Sequence, residues 1–265
     1  MREPIRAMTL VAAAVTTTLA LTGGVASAQS PTGSLGGGGT DLTNPIDPSP
    51  TGRVAVGAGV SFGKGTPVGP ERVPTTADHC TIAAVGTDNQ GNLVALSAAH
   101  CAVDSVTGKP IELWVEGQMV GQFESWKYTV PKGIGRFGPG YYDFAFAKLD
   151  ESKVLIASDR GANIGAGLLG DTEKILTGST VCISGLTTGQ KCGKYIGNGG
   201  TNPREHILGF SAKPGDSGGP LYTKDGHLLG IASRTMPGSF YGDVRDAAAY
   251  AAAQGWVGGD FQPIG

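Results

Sequence analysis

Ser217 sits in the run Gly215-Asp216-Ser217-Gly218-Gly219-Pro220. Three glycines, an aspartate and a proline around one serine mark a tight turn. Such a turn exposes the hydroxyl and lets neighbouring backbone N–H groups converge. It serves either as a structural corner or as a nucleophile beside an anion-binding nest. A serine hydroxyl is a weak nucleophile at neutral pH, so the second role requires a base in hydrogen-bond reach and an acid that orients the base. The chain has only 4 histidines, so the search is short. His100, in Ser97-Ala98-Ala99-His100-Cys101, follows the apolar stretch Leu93–Leu96 and adjoins a cysteine that would hold it in place. His79 follows a polar loop, and His206 and His227 lie in polar turns; these three read as surface residues. The acid candidate is Asp143, which opens the alternating stretch Asp143–Leu149 behind two tyrosines. That alternation predicts a buried strand, and an aspartate at its start is no mere solubilising charge. Asp150 and Glu151 come after the strand as turn charges, and Asp216 shares the tight turn of Ser217 and points away from its task.

These residues need a scaffold made of short elements. From Arg53 to about residue 240, apolar runs are brief and bounded by Gly, Asn, Asp or Pro. Candidate strands are Thr81–Val85, Leu93–Ser97, Ile111–Val115, Val120–Ser125, Asp143–Lys148, Ile207–Phe210 and Leu228–Ala232, separated by turns such as Asp88-Asn89-Gln90-Gly91. Many short strands at near-regular spacing predict an all-β barrel or sandwich. The exception is Asp243–Gln254, an alanine-rich helix with Asp243 as N-cap and Gly255 as stop. The 20 basic and 22 acidic residues are scattered without a basic run, which argues against a nucleic-acid partner.

Residues 1–28 read as a signal peptide. Arg2 and Arg6 precede an apolar stretch from Ala7 to Leu21, and Ala26-Ser27-Ala28 supplies small residues for cleavage. The alternative, a membrane anchor, needs an apolar run of about 20 residues, and this run is shorter and broken by the three consecutive threonines Thr16, Thr17 and Thr18. Residues 29–52, rich in Gly, Pro, Ser and Thr, form a linker or prosegment, and residues 53–265 form the folded domain. Export implies paired cysteines, and Cys80, Cys101, Cys182 and Cys192 permit three connectivities. The two local pairs would close loops of about 20 and 10 residues, each worth roughly 2–3 kcal/mol. A zinc site from His79, Cys80, His100 and Cys101 is the weaker alternative, because no C-x-x-C spacing is present.

Ser97–Cys101, Asp143–Leu149 and Gly215–Pro220 resemble, in that order, the His, Asp and Ser segments of chymotrypsin-fold serine peptidases, above all the secreted actinobacterial ones. Cys80–Ile82 and the run Val181–Gly193 resemble the same family over residues 54–256. The resemblance implies two antiparallel six-stranded Greek-key β-barrels with a C-terminal helix, and disulfides Cys80–Cys101 and Cys182–Cys192. It implies His100, Asp143 and Ser217 as a catalytic triad and the N–H groups of Gly215 and Ser217 as an oxyanion hole. Ser211, Ala212, Ser233, Arg234 and Thr235 are implied as pocket residues, with Ser233 also supporting the aspartate. No acid occupies the pocket-floor position, so an uncharged pocket is expected. No metal or organic cofactor is implied. The expected enzyme is a secreted, monomeric serine endopeptidase acting on protein or peptide substrates.

Two rivals stand beside this reading. One is a protease-like binding module whose triad survives behind a blocked pocket. The other is an esterase, because Gly215–Gly219 also satisfies the G-x-S-x-G elbow of α/β-hydrolases. That fold places its acid and then its histidine after the serine, whereas here only His227 follows, ten residues on. The run Arg53–Gly57 also resembles an activation site, from which a freed amino terminus would pair with Asp216.

Overall fold

A computed structural model of the chain describes residues 52–64, 79–129, 142–158, 161–169, 175–199, 202–234 and 239–264. The expected signal peptide, nearly all of the expected linker, and Thr235 lie outside these residues.

Two β-layered cores dominate. The second half of the chain forms a closed six-stranded barrel from β10 (Thr180–Ile183), β11 (Lys191–Gly199), β12 (Asn202–Leu208), β13 (Pro220–Thr223), β14 (Leu228–Arg234) and β15 (Ser239–Asp243). Its interior packs Val181, Ile183, Tyr195, Leu208, Ala212, Leu221, Leu229, Ala232 and Tyr241. Cys182 and Cys192 face each other directly across β10 and β11 and are bonded.

The first half is not a second closed barrel but a curled sheet of eight strands. In chain order these are β2 (Ser61–Lys64), β3 (His79–Thr81), β4 (Ala84–Thr87), β5 (Leu93–Ser97), β6 (Glu112–Val115), β7 (Gln118–Thr129), β8 (Tyr142–Leu149) and the late β16 (Gln262–Ile264). The expected six-stranded count is recovered in the chain itself. β3 and β4 are halves of one strand bent at Ile82-Ala83; the first half pairs with β2 and the second with β5. The bend brings the sheet almost full circle, and β16 adds an extra edge at β4. A short parallel pair, β1 (Val54–Val56) with β9 (Val154–Ile156), stands apart.

β8 is central, between β5 and β7. That explains why Asp143 to Ala147 are all buried rather than alternating in exposure. Small residues there admit close neighbours: Ala145 and Ala147 face Ser97 and Ala95 across the ladder. Helix α2 (Val244–Gln254) lays Val244, Ala247, Ala248 and Ala251 inward. Asp243 caps it by accepting from the Arg245 N–H at 2.8 Å, and Gly255 ends it in the left-handed region.

His206 departs from expectation. It lies in β12 opposite Tyr241, is buried, and its Nδ1 stands 3.0 Å from the Tyr195 hydroxyl. A polar sequence neighbourhood concealed a barrel-facing position.

Candidate active site

His100 is carried by the single helical turn α1 (Ala99–Ala102), which follows β5 directly. The turn is pinned by the disulfide from Cys101 to Cys80 on β3. Asp143, second residue of β8, meets the histidine twice. Oδ1 accepts from the His100 backbone N–H at 3.0 Å, and Oδ2 lies 2.7 Å from Nδ1. A carboxylate only accepts, so the Nδ1 position carries the hydrogen and Nε2 keeps its lone pair. The Asp143 side chain is 1% exposed and that of His100 28%. The acid is thus sealed and the base open on one side. From the other barrel, the Ser233 hydroxyl donates to Asp143 Oδ2 at 2.6 Å.

The 215–220 run forms the expected turn and docks against both barrels. Gly218 N–H donates to Ala232 O at 2.7 Å, one residue before Ser233. Thr81 N–H donates to Ser217 O at 2.7 Å. Gly215 and Gly218 have φ of 97° and 83°, conformations glycine adopts without penalty. A Cβ on Gly218 would lie 2.0 Å from Ser97 Oγ and 2.5 Å from Thr81 O, so no side chain fits there.

The amides of the turn divide into two sets. Those of Asp216, Gly218 and Gly219 donate to Lys213, Ala232 and Asp216 carbonyls respectively. Those of Gly215 and Ser217 donate to no acceptor among the described residues. Two uncommitted N–H groups flank a half-exposed serine, an arrangement suited to an anion.

Asp216 is 2% exposed and points away from Ser217. Its Oδ1 accepts from the Thr187 and Thr188 amides at 2.8 and 2.9 Å; its Oδ2 accepts from the Lys213 amide at 2.7 Å and from the Thr188 hydroxyl. Among the described residues no cation pairs with it. Val54 meanwhile is built into β1, its N–H on Lys153 O at 3.0 Å. The activation pairing suggested by Arg53–Gly57 needs an amino terminus freed by cleavage; in the uncleaved chain Val54 N is a strand amide and neutral donors surround the Asp216 carboxylate.

The structure brings His100, Asp143 and Ser233 into direct contact, whereas no hydrogen bond joins His100 Nε2 to Ser217 Oγ. Base–nucleophile bonds of this kind often tighten only when substrate is bound. Of the expected pocket residues, Ser211 is exposed, Ala212 is packed in the second barrel core, and Arg234 closes β14 opposite Phe240. One close group of potential metal ligands occurs among the described residues, Cys80, His100 and Cys101, and its two sulfurs are consumed by the disulfide. Sequence reasoning missed Thr81, Thr187 and Thr188; only their nearness to Cys80 and Cys182 hinted at them.

The Trypsin family model matches residues 76–250, about two thirds of the chain and all three segments of the site. The chain belongs to the trypsin family. It is a serine-type endopeptidase of that family. Its fold is similar to that of Nocardiopsis protease (NAPase), at 20% identity over 80% of this chain and 100% of the other, TM-score 0.52. It is likewise similar to Thermobifida fusca protease A, at 17% identity over 79% and 98%, TM-score 0.54. A glutamic acid-specific serine protease matches at 17% identity over 78% and 99%, TM-score 0.50. No curated protein sequence matches the chain. Among the described residues, no helix is long and apolar enough to cross a membrane.

Proposed function

We propose that this peptidase cleaves peptide bonds through His100, Asp143 and Ser217 by way of an acyl-enzyme, and that it works outside the cell. The observation that carries the reading is the His100–Asp143 pair with its 2.7 Å bond, braced by Ser233 and set beside the docked serine turn. Ser217 Oγ attacks the substrate carbonyl carbon while its proton passes to His100 Nε2. The negative oxygen of the tetrahedral intermediate is received by the Gly215 and Ser217 N–H groups. Collapse breaks the C–N bond, and His100 returns the proton to the leaving amine. Water then attacks the ester carbon with His100 as base, releasing the acid and restoring Ser217. Asp143 holds the imidazole tautomer and stabilises its cation.

The substrate pocket would be uncharged and drawn from the segments that hold Ser211 and Ala212 and, along β14, Ser233. No acid stands at the pocket-floor position, which favours uncharged side chains over Lys or Arg. The amino-terminal charge and apolar pattern, together with two disulfides, support export.

The test is covalent labelling by a fluorophosphonate probe, with the adduct mapped by mass spectrometry. Label on Ser217, abolished by Ser217→Ala, is expected. Folded protein that takes no label would instead mark a protease-like binding module.

A further inference from the structure

Thr81 makes four hydrogen bonds beside the site through its backbone and hydroxyl, and it belongs to the first-half sheet, across from Ser217. It is completely buried at the end of β3. Its N–H donates to Ser217 O at 2.7 Å and its hydroxyl to Gly215 O at 2.8 Å. The same hydroxyl accepts from the Leu186 N–H at 3.2 Å, and its carbonyl accepts the Ser97 hydroxyl at 2.9 Å. One threonine thus grips the serine turn at two points. It also joins the turn to the loop before Thr187 and Thr188, which hold Asp216.

The Gly215 contact matters most. The peptide plane between Gly215 and Asp216 is flanked by the two planes that carry the uncommitted N–H groups. Gly215 has no Cβ to limit rotation, so sterics alone leave this plane loosely determined. It is fixed instead at both ends: its oxygen by the Thr81 hydroxyl, its N–H by Lys213 O at 3.0 Å.

We infer that Thr81 is a positioning residue for peptide cleavage, whose hydroxyl sets the Gly215–Asp216 peptide and thereby aims the Gly215 and Ser217 N–H groups at the oxyanion. This rests on the functional reading above. Thr81 touches no substrate atom; it acts through the turn. A purely structural threonine would affect how much protein folds but not the rate per competent site.

The experiment counts sites and rates separately. Fluorophosphonate end-point labelling gives the concentration of competent Ser217, and a peptide p-nitroanilide gives kcat per labelled site. Thr81→Val keeps the shape and removes the hydroxyl. Its kcat per site is expected to fall about 10–100-fold, a fraction of the loss from deleting an oxyanion donor outright. KM should stay within about 2-fold, and Thr81→Ser should recover the rate to within about 3-fold of wild type. Where valine prevents folding, Thr81→Ala is measured against the same criteria. Variant kcat per site equal to wild type, or serine as slow as valine, overturns the inference alone. Wild type that takes no label overturns the peptidase reading and this inference with it.

Discussion

Replacing Asp143 by asparagine changes one acceptor atom to a donor, and the geometry dictates which. Oδ1 takes the His100 backbone N–H at 3.0 Å, and Oδ2 takes both the imidazole and the Ser233 hydroxyl. An amide nitrogen at the Oδ1 position would face a backbone N–H that cannot turn away. With the side chain 1% exposed, water cannot relieve the conflict, which costs about 1–3 kcal/mol. An amide nitrogen at the Oδ2 position is tolerable, because Ser233 can rotate to accept and the imidazole can shift its hydrogen to Nε2. The substituted amide therefore adopts the second orientation, and the imidazole loses the lone pair that should face Ser217. Wrong-tautomer exchanges in Ser-His-Asp triads lower kcat by about 10⁴-fold, roughly 5.5 kcal/mol of barrier. Steady-state hydrolysis of a peptide p-nitroanilide by folded Asp143→Asn is expected to show a loss of that order with KM little changed. A folded variant within about 10-fold of wild type would mean that Asp143 does not set the tautomer.

Two further outcomes follow from the packing. Gly218→Ala adds a Cβ against Thr81 O and Ser97 Oγ, and Gly91→Ala is its control, with φ of 80° and nothing within 4 Å. Chemical denaturation should show the control losing about 1 kcal/mol to backbone strain and Gly218→Ala about 3 kcal/mol or more; equal losses would deny the close approach. Asp243 gives an acid limit. Burial opposes its charge, but the nearby His206 imidazole, with Nε2 3.6 Å from Oδ2, and the hydrogen-bonded Arg245 prevail and lower its pKa from 3.8 to about 2. A carboxylate with a depressed folded pKa contributes stability above pH 3.8 that is lost as pH falls through about 2. The difference is about 2 kcal/mol, so the stability gap between wild type and Asp243→Asn, followed by denaturant melts, should be widest above pH 4 and close near pH 2.

The legible features were those with local signatures. β5 matches its expected span, α2 follows its cap and stop residues, and the nucleophile turn declared itself through glycine and proline. Strand ends were harder, because ladders are closed by partners far along the chain. β7 runs to Thr129 rather than Ser125 because it pairs with β8 along nearly its whole length. β12 reaches back to Asn202 through pairing with β11 and ends before Phe210. Of the site, His100, Asp143 and the supporting Ser233 were named from the sequence and meet in the fold, whereas Thr81, Thr187 and Thr188 were given no role. Thr81 opens an expected strand, and Thr187 and Thr188 lie in the run Val181–Gly193, but a threonine's type does not tell what its hydroxyl or amide will bond. Only the fold shows that one is wholly buried and that all three donate to or accept from the serine loop.

The site is held by two crossings between the barrels rather than by any single contact. At the acid, Ser233 from the second barrel reaches Asp143 of the first. At the serine turn, Thr81 from the first-half sheet reaches Gly215 and Ser217 beside the closed barrel. His100 adjoins the first of these crossings and Ser217 the second. Burying carboxylates is costly unless their lone pairs are filled, and both Asp143 and Asp216 are supplied from elements that also orient the reacting groups. The donors that stabilise these charges therefore also fix the site's geometry.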